Sequence, residues 1–309
     1  MRDATLEPLE ERVSGDGLTR KLLFRLEDGK TIESALILSV DSRTGRERRT
    51  VCVSSQVGCT IGCPFCATGL QGFERNLSPD EIIQQVHFFV HRFGNADGPE
   101  KGKTRGWLTN VVFMGMGEPL ANYDNTRQAI AMLNSPKGLG LGIHQVTLST
   151  AGLVPQIQKL SEEGLQFQLA VSLHAANDKL RDELVPINRK YPLEQLISAC
   201  KDYRRKTGRN TFIEYALFDK VNDSPDDAES LVKLLEGLKC SINLIAGNPA
   251  GSGFQPSSRE TALAFQKILM ARGIRTMLRV SRGTDIEAGC GQLRSRRIEP
   301  ASKVKRQRS

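Results

Sequence analysis

Beyond residue 45, short β-branched and apolar runs alternate with amphipathic stretches. The runs at 49–55, 108–114, 145–150, 167–174, 211–218 and 241–247 predict strands. The stretches at 79–92, 123–133, 192–206, 225–238 and 258–271 predict helices, because their apolar residues recur at helical spacing. Two of them open on start signals, Ser78-Pro79-Asp80-Glu81 and Ser224-Pro225-Asp226-Asp227. Strands alternating with helices imply parallel βαβ units. Six such units fit an α/β fold of the partial, open (β/α)6 barrel kind, in which ligands meet the C-terminal ends of the strands. A further strand is expected at 276–281, and residues 20–38 read as a hairpin turning at Asp28-Gly29. The expected divisions are an N-terminal hairpin segment (1–45), a core (46–293) and a tail (294–309). The tail carries seven Lys/Arg and one Glu, and is expected to be disordered and solvated.

The expected strand ends coincide with small and polar residues. Gly115-Met-Gly-Glu-Pro119 follows the second strand, Ser149-Thr-Ala-Gly152 ends the third, Ser172-Leu-His174 the fourth and Asn248-Pro249 the sixth. That agreement weighs more than any one of these stretches. The N-terminus, MRDATLEPLEER, has no apolar segment and does not read as a signal peptide, and no run reaches bilayer-spanning length. The chain is therefore expected to be cytoplasmic and without a membrane partner. A formal charge of +8 suits a polyanionic partner such as RNA, without requiring one.

Seven cysteines in such a chain point to metal or redox chemistry rather than structural bridges. Three stand at Cys59, Cys63 and Cys66, a C-x3-C-x2-C spacing. Thiolates suit iron–sulfur clusters, and a cubane normally takes four cysteines. The loop supplies three, which leaves one iron open to a small molecule. A zinc site would more often show paired C-x2-C units or added histidines. Cys52 and Cys290 have suggestive settings, at a strand end and between glycines, though each also fits a small buried hydrophobe, as Cys200 and Cys240 do.

The C-x3-C-x2-C spacing resembles the radical S-adenosylmethionine (radical-SAM) superfamily, whose cluster binds SAM at the open iron. CVSSQVGC, GFERNLSPDEI, MGMGEPLANYD, LSTAGLVP, SLHAANDKLRDELVPINRKYP and DIEAGCGQL together resemble the radical-SAM RNA adenosine methyltransferases, the RlmN/Cfr family, over about residues 20–293. ATGLQGFERNL and NDSPDDAESL resemble the C2-methylating branch more than the C8-methylating one.

This resemblance implies a [4Fe–4S] cluster on Cys59, Cys63 and Cys66, two SAM equivalents per turnover, RNA (rRNA or tRNA) as substrate, an external one-electron reductant and a monomer. It implies SAM contacts from Gly117, Glu118, Ser149, Ser172, Leu173, His174 and Asn248. Adenine C2 is electron-poor and cannot attack a sulfonium methyl. The family's route methylates a loop cysteine, here Cys290, and a 5′-deoxyadenosyl radical takes hydrogen from that methyl. The carbon radical adds to the base. Cys52 then attacks the Cys290 sulfur, forming a transient disulfide, and Glu33 is the implied proton acceptor. A solvated strand carboxylate is the plainer expectation for Glu33.

The chain departs from the family in three short stretches, STAG, AGC and LIAGNPA. The sequence opens just before the hairpin, and the N-terminal helical domain that family members usually carry is expected to be missing. The alternatives are C8 methylation or another RNA substrate by the same chemistry, and a non-catalytic iron–sulfur RNA-binding factor. The last would need neither Cys52 nor Cys290.

Overall fold

Three N-terminal strands, β1 (Glu7–Val13), β2 (Thr19–Arg25) and β3 (Thr31–Val40), form an antiparallel meander. The structure is a computed structural model that describes residues 6–40, 44–94, 106–246, 253–279 and 291–297. β2 and β3 are the expected hairpin, and Gly29 takes the left-handed φ of 79° that its turn requires. β1 was not legible as a strand. Its sequence, EPLEERV, is polar because it is an exposed edge, held across to β2 by Arg20–Glu11 (3.0 Å) and Arg25–Glu7 (3.2 Å).

The chain continues through β4 (Glu47–Cys52), β5 (Gln56–Gly58), α1 (Ala67–Leu70), β6 (Phe73–Asn76), α2 (Pro79–Phe93), β7 (Asn110–Phe113), α3 (Tyr123–Asn134), β8 (Val146–Thr150), α4 (Val154–Glu162), β9 (Gln168–Ser172) and α5 (Asp178–Leu184). It ends with α6 (Leu193–Thr207), β10 (Thr211–Leu217), α7 (Pro225–Leu234), β11 (Cys240–Ala246), α8 (Arg259–Ala271), β12 (Arg275–Arg279) and α9 (Gln292–Arg297). The ten-stranded sheet runs β1-β2-β3-β4-β7-β8-β9-β10-β11-β12. Within this sheet every pairing from β4 to β12 is parallel, while β5 and β6 pair antiparallel in a small separate sheet, so the six expected barrel strands stand in chain order, with β12 as a seventh. The barrel is open among the described residues, and the meander extends its first edge.

Both predicted start signals are capping boxes, Ser78 with Glu81 on α2 and Ser224 with Asp227 on α7. α4 and α5 were missed, since nine and seven residues give few helical repeats. α9 runs past residue 293 with Arg294 buried, so ordered structure enters the segment expected to be a disordered tail. Cys290 and Asn248 lie outside the described residues, as do 298–309. Among the described residues no helix is long and apolar enough to cross a membrane.

Along β10 the two faces separate cleanly. Ile213, Tyr215 and Leu217 join the main apolar core, with the Tyr215 ring 5.6 Å from Phe265 of α8. Ala216 instead joins a second small apolar cluster with Cys63 and Phe65 of the cysteine loop. Glu214 alternates with the core residues and shares Ala216's face. Glu214 and Ala216 therefore line the face of β10 turned away from α8.

Phe89, fully buried on α2, packs edge-on against Phe24 of the meander at 6.4 Å. It joins the meander to the parallel sheet. Phe89→Ala should cost about 3–5 kcal/mol in urea unfolding, through lost transfer energy and a residual cavity.

Candidate active site at the cysteine loop

The cysteine loop leaves β5 at Gly58 and closes on itself at Gly72. Gly58 has φ 76°, and a Cβ there would stand 1.8 Å from the Gly72 carbonyl oxygen. The Cys59 N–H donates to that same carbonyl at 2.9 Å. Within the loop, the Cys66 N–H donates to the Cys63 carbonyl (3.1 Å) and the Leu70 N–H to the Cys66 carbonyl (3.0 Å). Gly69 packs so closely that a Cβ would meet the Cys63 oxygen at 2.6 Å. Phe65 anchors the loop to the strand ends, its ring edge-on to His174 at 5.0 Å and tilted on Phe218 at 5.1 Å.

All three cysteines are free and half-buried. Burial pushes the Cys59 thiol up to about 12, and burial with the two neighbouring thiols raises Cys63 well above its usual range. Cys59 and Cys63, which resist ionisation, stand with Cys66 in a donor set of the kind that a cationic metal centre stabilises as thiolates. Among the described residues no three His, Cys, Asp or Glu side chains gather tightly enough to hold a single metal ion. Cubane cysteines each bind a different iron, and Cys59, Cys63 and Cys66 are the set that would hold the cluster.

Glu33 sits beside the loop, and it is not solvated. It is buried, with Oε2 accepting from Lys21 Nζ (2.8 Å) and the Gly291 N–H (2.7 Å), and Oε1 from the Arg294 N–H (2.5 Å). Gly291 directly follows Cys290. It has φ 79°, and a Cβ on it would meet Thr68 Oγ1 at 2.4 Å. Gln71 Nε2 donates to its carbonyl at 2.8 Å. The residue after Cys290 is thus wedged between Glu33 and the helix that begins at the cysteine loop. Cys52 ends β4 opposite Ala35, two residues from Glu33. Burial raises its thiol to about 11, against the pull of Arg279 and Lys21.

The opposite wall is the row of strand ends. Gly117 has φ 99° and lies against Gln56, whose Oε1 accepts from the Glu118 N–H at 2.9 Å. The buried Glu118 carboxylate accepts from the Leu120 N–H (3.0 Å) and the Ala151 N–H (2.6 Å). Burial nevertheless raises its pKa to about 7. Ser149 lies on β8 and Ser172 ends β9, both half-buried. His174 takes a left-handed φ of 60°, an uncommon conformation for a side-chain-bearing residue. Its Nδ1 accepts from the Ala216 N–H at 2.9 Å, which places the proton on Nε2. Burial lowers it to about 3, so it is neutral. Asn222 Nδ2 holds the His174 carbonyl at 2.8 Å.

Sequence reasoning missed several supports. Phe65 lies inside the cysteine run and Arg181 inside the SLHA-containing stretch, so both had a signal. Gln56 lies inside CVSSQVGC and Asn222 inside NDSPDDAESL, so they had one too; Lys21 and Glu214 had none. Glu214 accepts from Asn243 Nδ2 at 2.7 Å, and its other oxygen is buried without a partner among the described residues.

Residues 53–235 match the family model described as the radical SAM superfamily. This chain belongs to that superfamily. A relative from Thermotoga neapolitana, named as a dual-specificity RNA methyltransferase RlmN, is 47% identical over 292 residues, covering 94% of this chain and 80% of the relative. One from Nitrosopumilus maritimus, named as ribosomal RNA large subunit methyltransferase N, is 44% identical over 284 residues, covering 92% and 79%. The crystal structure of a radical SAM methyltransferase from Sphaerobacter thermophilus is 48% identical, with a TM-score of 0.86 over 93% of this chain and 80% of that one. Within the superfamily the chain belongs to the RlmN/Cfr family, and its cofactors are a [4Fe–4S] cluster and SAM.

Glu118 gives a pH signature in the cofactor-free protein. Its pKa rises from 4.5 to about 7 on folding, so the folded state binds the extra proton in that window. Stability should fall as pH rises from 4.5 to about 7. Glu118→Gln should remove that fall, read as the difference between the two proteins' urea midpoints across the range.

Proposed function

We propose that this protein methylates an adenine ring carbon, C2, in rRNA or tRNA, with Cys290 as the methyl carrier. The supporting observation is the Glu33–Gly291 contact. It sets the residue after Cys290 against a buried carboxylate on one side and the cysteine loop on the other. A non-catalytic iron–sulfur factor has no use for that convergence.

Cys59, Cys63 and Cys66 would hold the cluster, which when bound would supply the electron that cleaves SAM. The remaining work falls to side chains. Glu118, with Gly117, receives the methionyl amine, and a buried carboxylate is a strong acceptor for an ammonium group. Ser149, Ser172, Leu173, neutral His174 and Asn248 take the rest of SAM. RNA presents the target base unpaired or flipped from its stack. Every observed contact to Glu33 is a donor, so its carboxylate accepts and does not donate. Glu33 is the proposed acceptor of the ring proton on the ground of its position beside Gly291, which follows Cys290.

Release falls to Cys52. Its thiolate attacks the Cys290 sulfur, an S–S bond forms and the S–C bond breaks. The electron pair of that bond leaves with the carbon, which takes up a proton to become the methyl group. Arg279 and Lys21 favour the Cys52 thiolate that this step needs, against the cost of burial. The unpaired electron on the adduct, given up as the ring proton leaves, would restore the one spent on SAM, and an external reductant returns the Cys52–Cys290 disulfide to two thiols with two further electrons.

Cys52→Ala should stay covalently attached to its RNA, because it lacks only the exit. Cys290→Ala should never attach. With SAM, a reductant and RNA, the first should give a nuclease-sensitive, slow band under denaturing conditions, and the double variant none. Normal turnover by Cys52→Ala without an adduct would remove the proposed role of Cys52.

A further inference from the structure

The stretch SLHAANDKLRDELVPIN extends well beyond the residues that face SAM. Its arginine is one of the largest fully buried side chains in the protein. Arg181 Nη2 donates to the Ala151 carbonyl (2.6 Å) and the Ser172 carbonyl (3.2 Å), and Nε to the Leu173 carbonyl (3.1 Å). Nη1 donates to Asn188 Oδ1 at 2.8 Å. One guanidinium therefore gathers three carbonyls from the ends of two neighbouring strands, β8 and β9. Only arginine carries enough donors in a fixed fork to do this.

Each carbonyl belongs to a part of the SAM wall. Ser172 and Leu173 are two of the cofactor residues. Ala151 follows Ser149 by two positions, and its N–H is the 2.6 Å donor to Glu118. Its peptide group is thus clamped on both sides, by Glu118 at nitrogen and by Arg181 at oxygen. Gly152 makes room for the clamp: it has φ 110°, and a Cβ there would come within 3.3 Å of Arg181 Nη2 and 3.0 Å of Leu196.

The support behind Arg181 is also built. Asn188, fixed by donating to Asp178 Oδ1 (2.9 Å) and Asp182 Oδ1 (2.6 Å), presents its oxygen to the guanidinium. Those aspartates are one residue removed, so Arg181 forms no direct ion pair among the described residues. A fully buried cation that meets only neutral acceptors is costly. Such a group persists where nothing cheaper would hold the same geometry. Burial lowers its pKa to about 10, so it stays charged at neutral pH.

We propose that Arg181 is a positioning residue for SAM: it locks the ends of β8 and β9 so that Ser172, Leu173 and the Ala151-held Glu118 present one rigid wall. The inference rests on the reading that these residues bind SAM.

The test uses the cluster-reconstituted protein and measures the SAM Kd from the change in the cluster's spectrum as SAM is added, with the melting temperature measured separately. Arg181→Lys keeps the charge but cannot reach the carbonyls of both strands. Its SAM Kd should rise about tenfold or more, the worth of losing a charge-assisted hydrogen bond. Asn188→Ala keeps the guanidinium but frees Nη1, and should raise the Kd by a smaller factor while remaining folded if Arg181→Lys does not. Lower melting temperature with an unchanged SAM Kd in either folded variant would overturn the proposal, since a purely structural brace gives that result. Ser172→Ala is the control. If it binds SAM as tightly as the unaltered protein, the assignment of the wall fails instead.

Discussion

The fold depends on one buried carboxylate. Glu33 joins the N-terminal meander, through Lys21 on β2, to the C-terminal segment, through the N–H groups of Gly291 and Arg294. Residues 258 and 261 positions away in sequence meet at a single side chain. Desolvating both Glu33 and Lys21 is expensive, and the two backbone donors offset part of that cost. Removing Lys21 would leave the buried Glu33 carboxylate without its cation, typically a loss of about 3–5 kcal/mol. The same contact holds the start of α9 between the meander and the cysteine loop. Arg294 extends it, through Gln71 Oε1 (2.8 Å) and Glu74.

Around that clamp the site is assembled from two rigid halves. One half is the cysteine loop, fixed by glycines at its base and by Phe65 at its tip. The other is the rim of strand ends, where side chains bond the backbone of neighbouring strands: Glu118 to Ala151, Arg181 to Ala151, Ser172 and Leu173, His174 to Ala216, and Asn222 to His174. Parallel strands end with unpaired backbone groups, and side chains here take up those groups. Rigidity matters for radical chemistry, because a reactive carbon centre must meet its intended partner before anything else.

The parallel core was legible because its strands are continuous apolar runs and its helices carry start signals. β1 was not, since an exposed edge strand of glutamates and arginines has no apolar face to show. The cysteine loop and the strand-end residues were legible because glycine and small polar groups interrupt the apolar pattern there. The burial of Glu33 was not. Its partners are a lysine on the adjacent strand and backbone N–H groups from the far end of the chain, and backbone donors leave no trace in sequence. Arg181 stood in plain view within a conspicuous stretch, but its partners are carbonyls, which every residue has.

The account's central claim is methyl transfer to C2 of an adenine through this site. The most direct measurement is nucleoside mass spectrometry on RNA incubated with the reconstituted protein, SAM and a one-electron reductant. The account predicts 2-methyladenosine, present with the unaltered protein and absent with Cys290→Ala. Formation of 8-methyladenosine, or of 2-methyladenosine that survives the loss of Cys290, would contradict it.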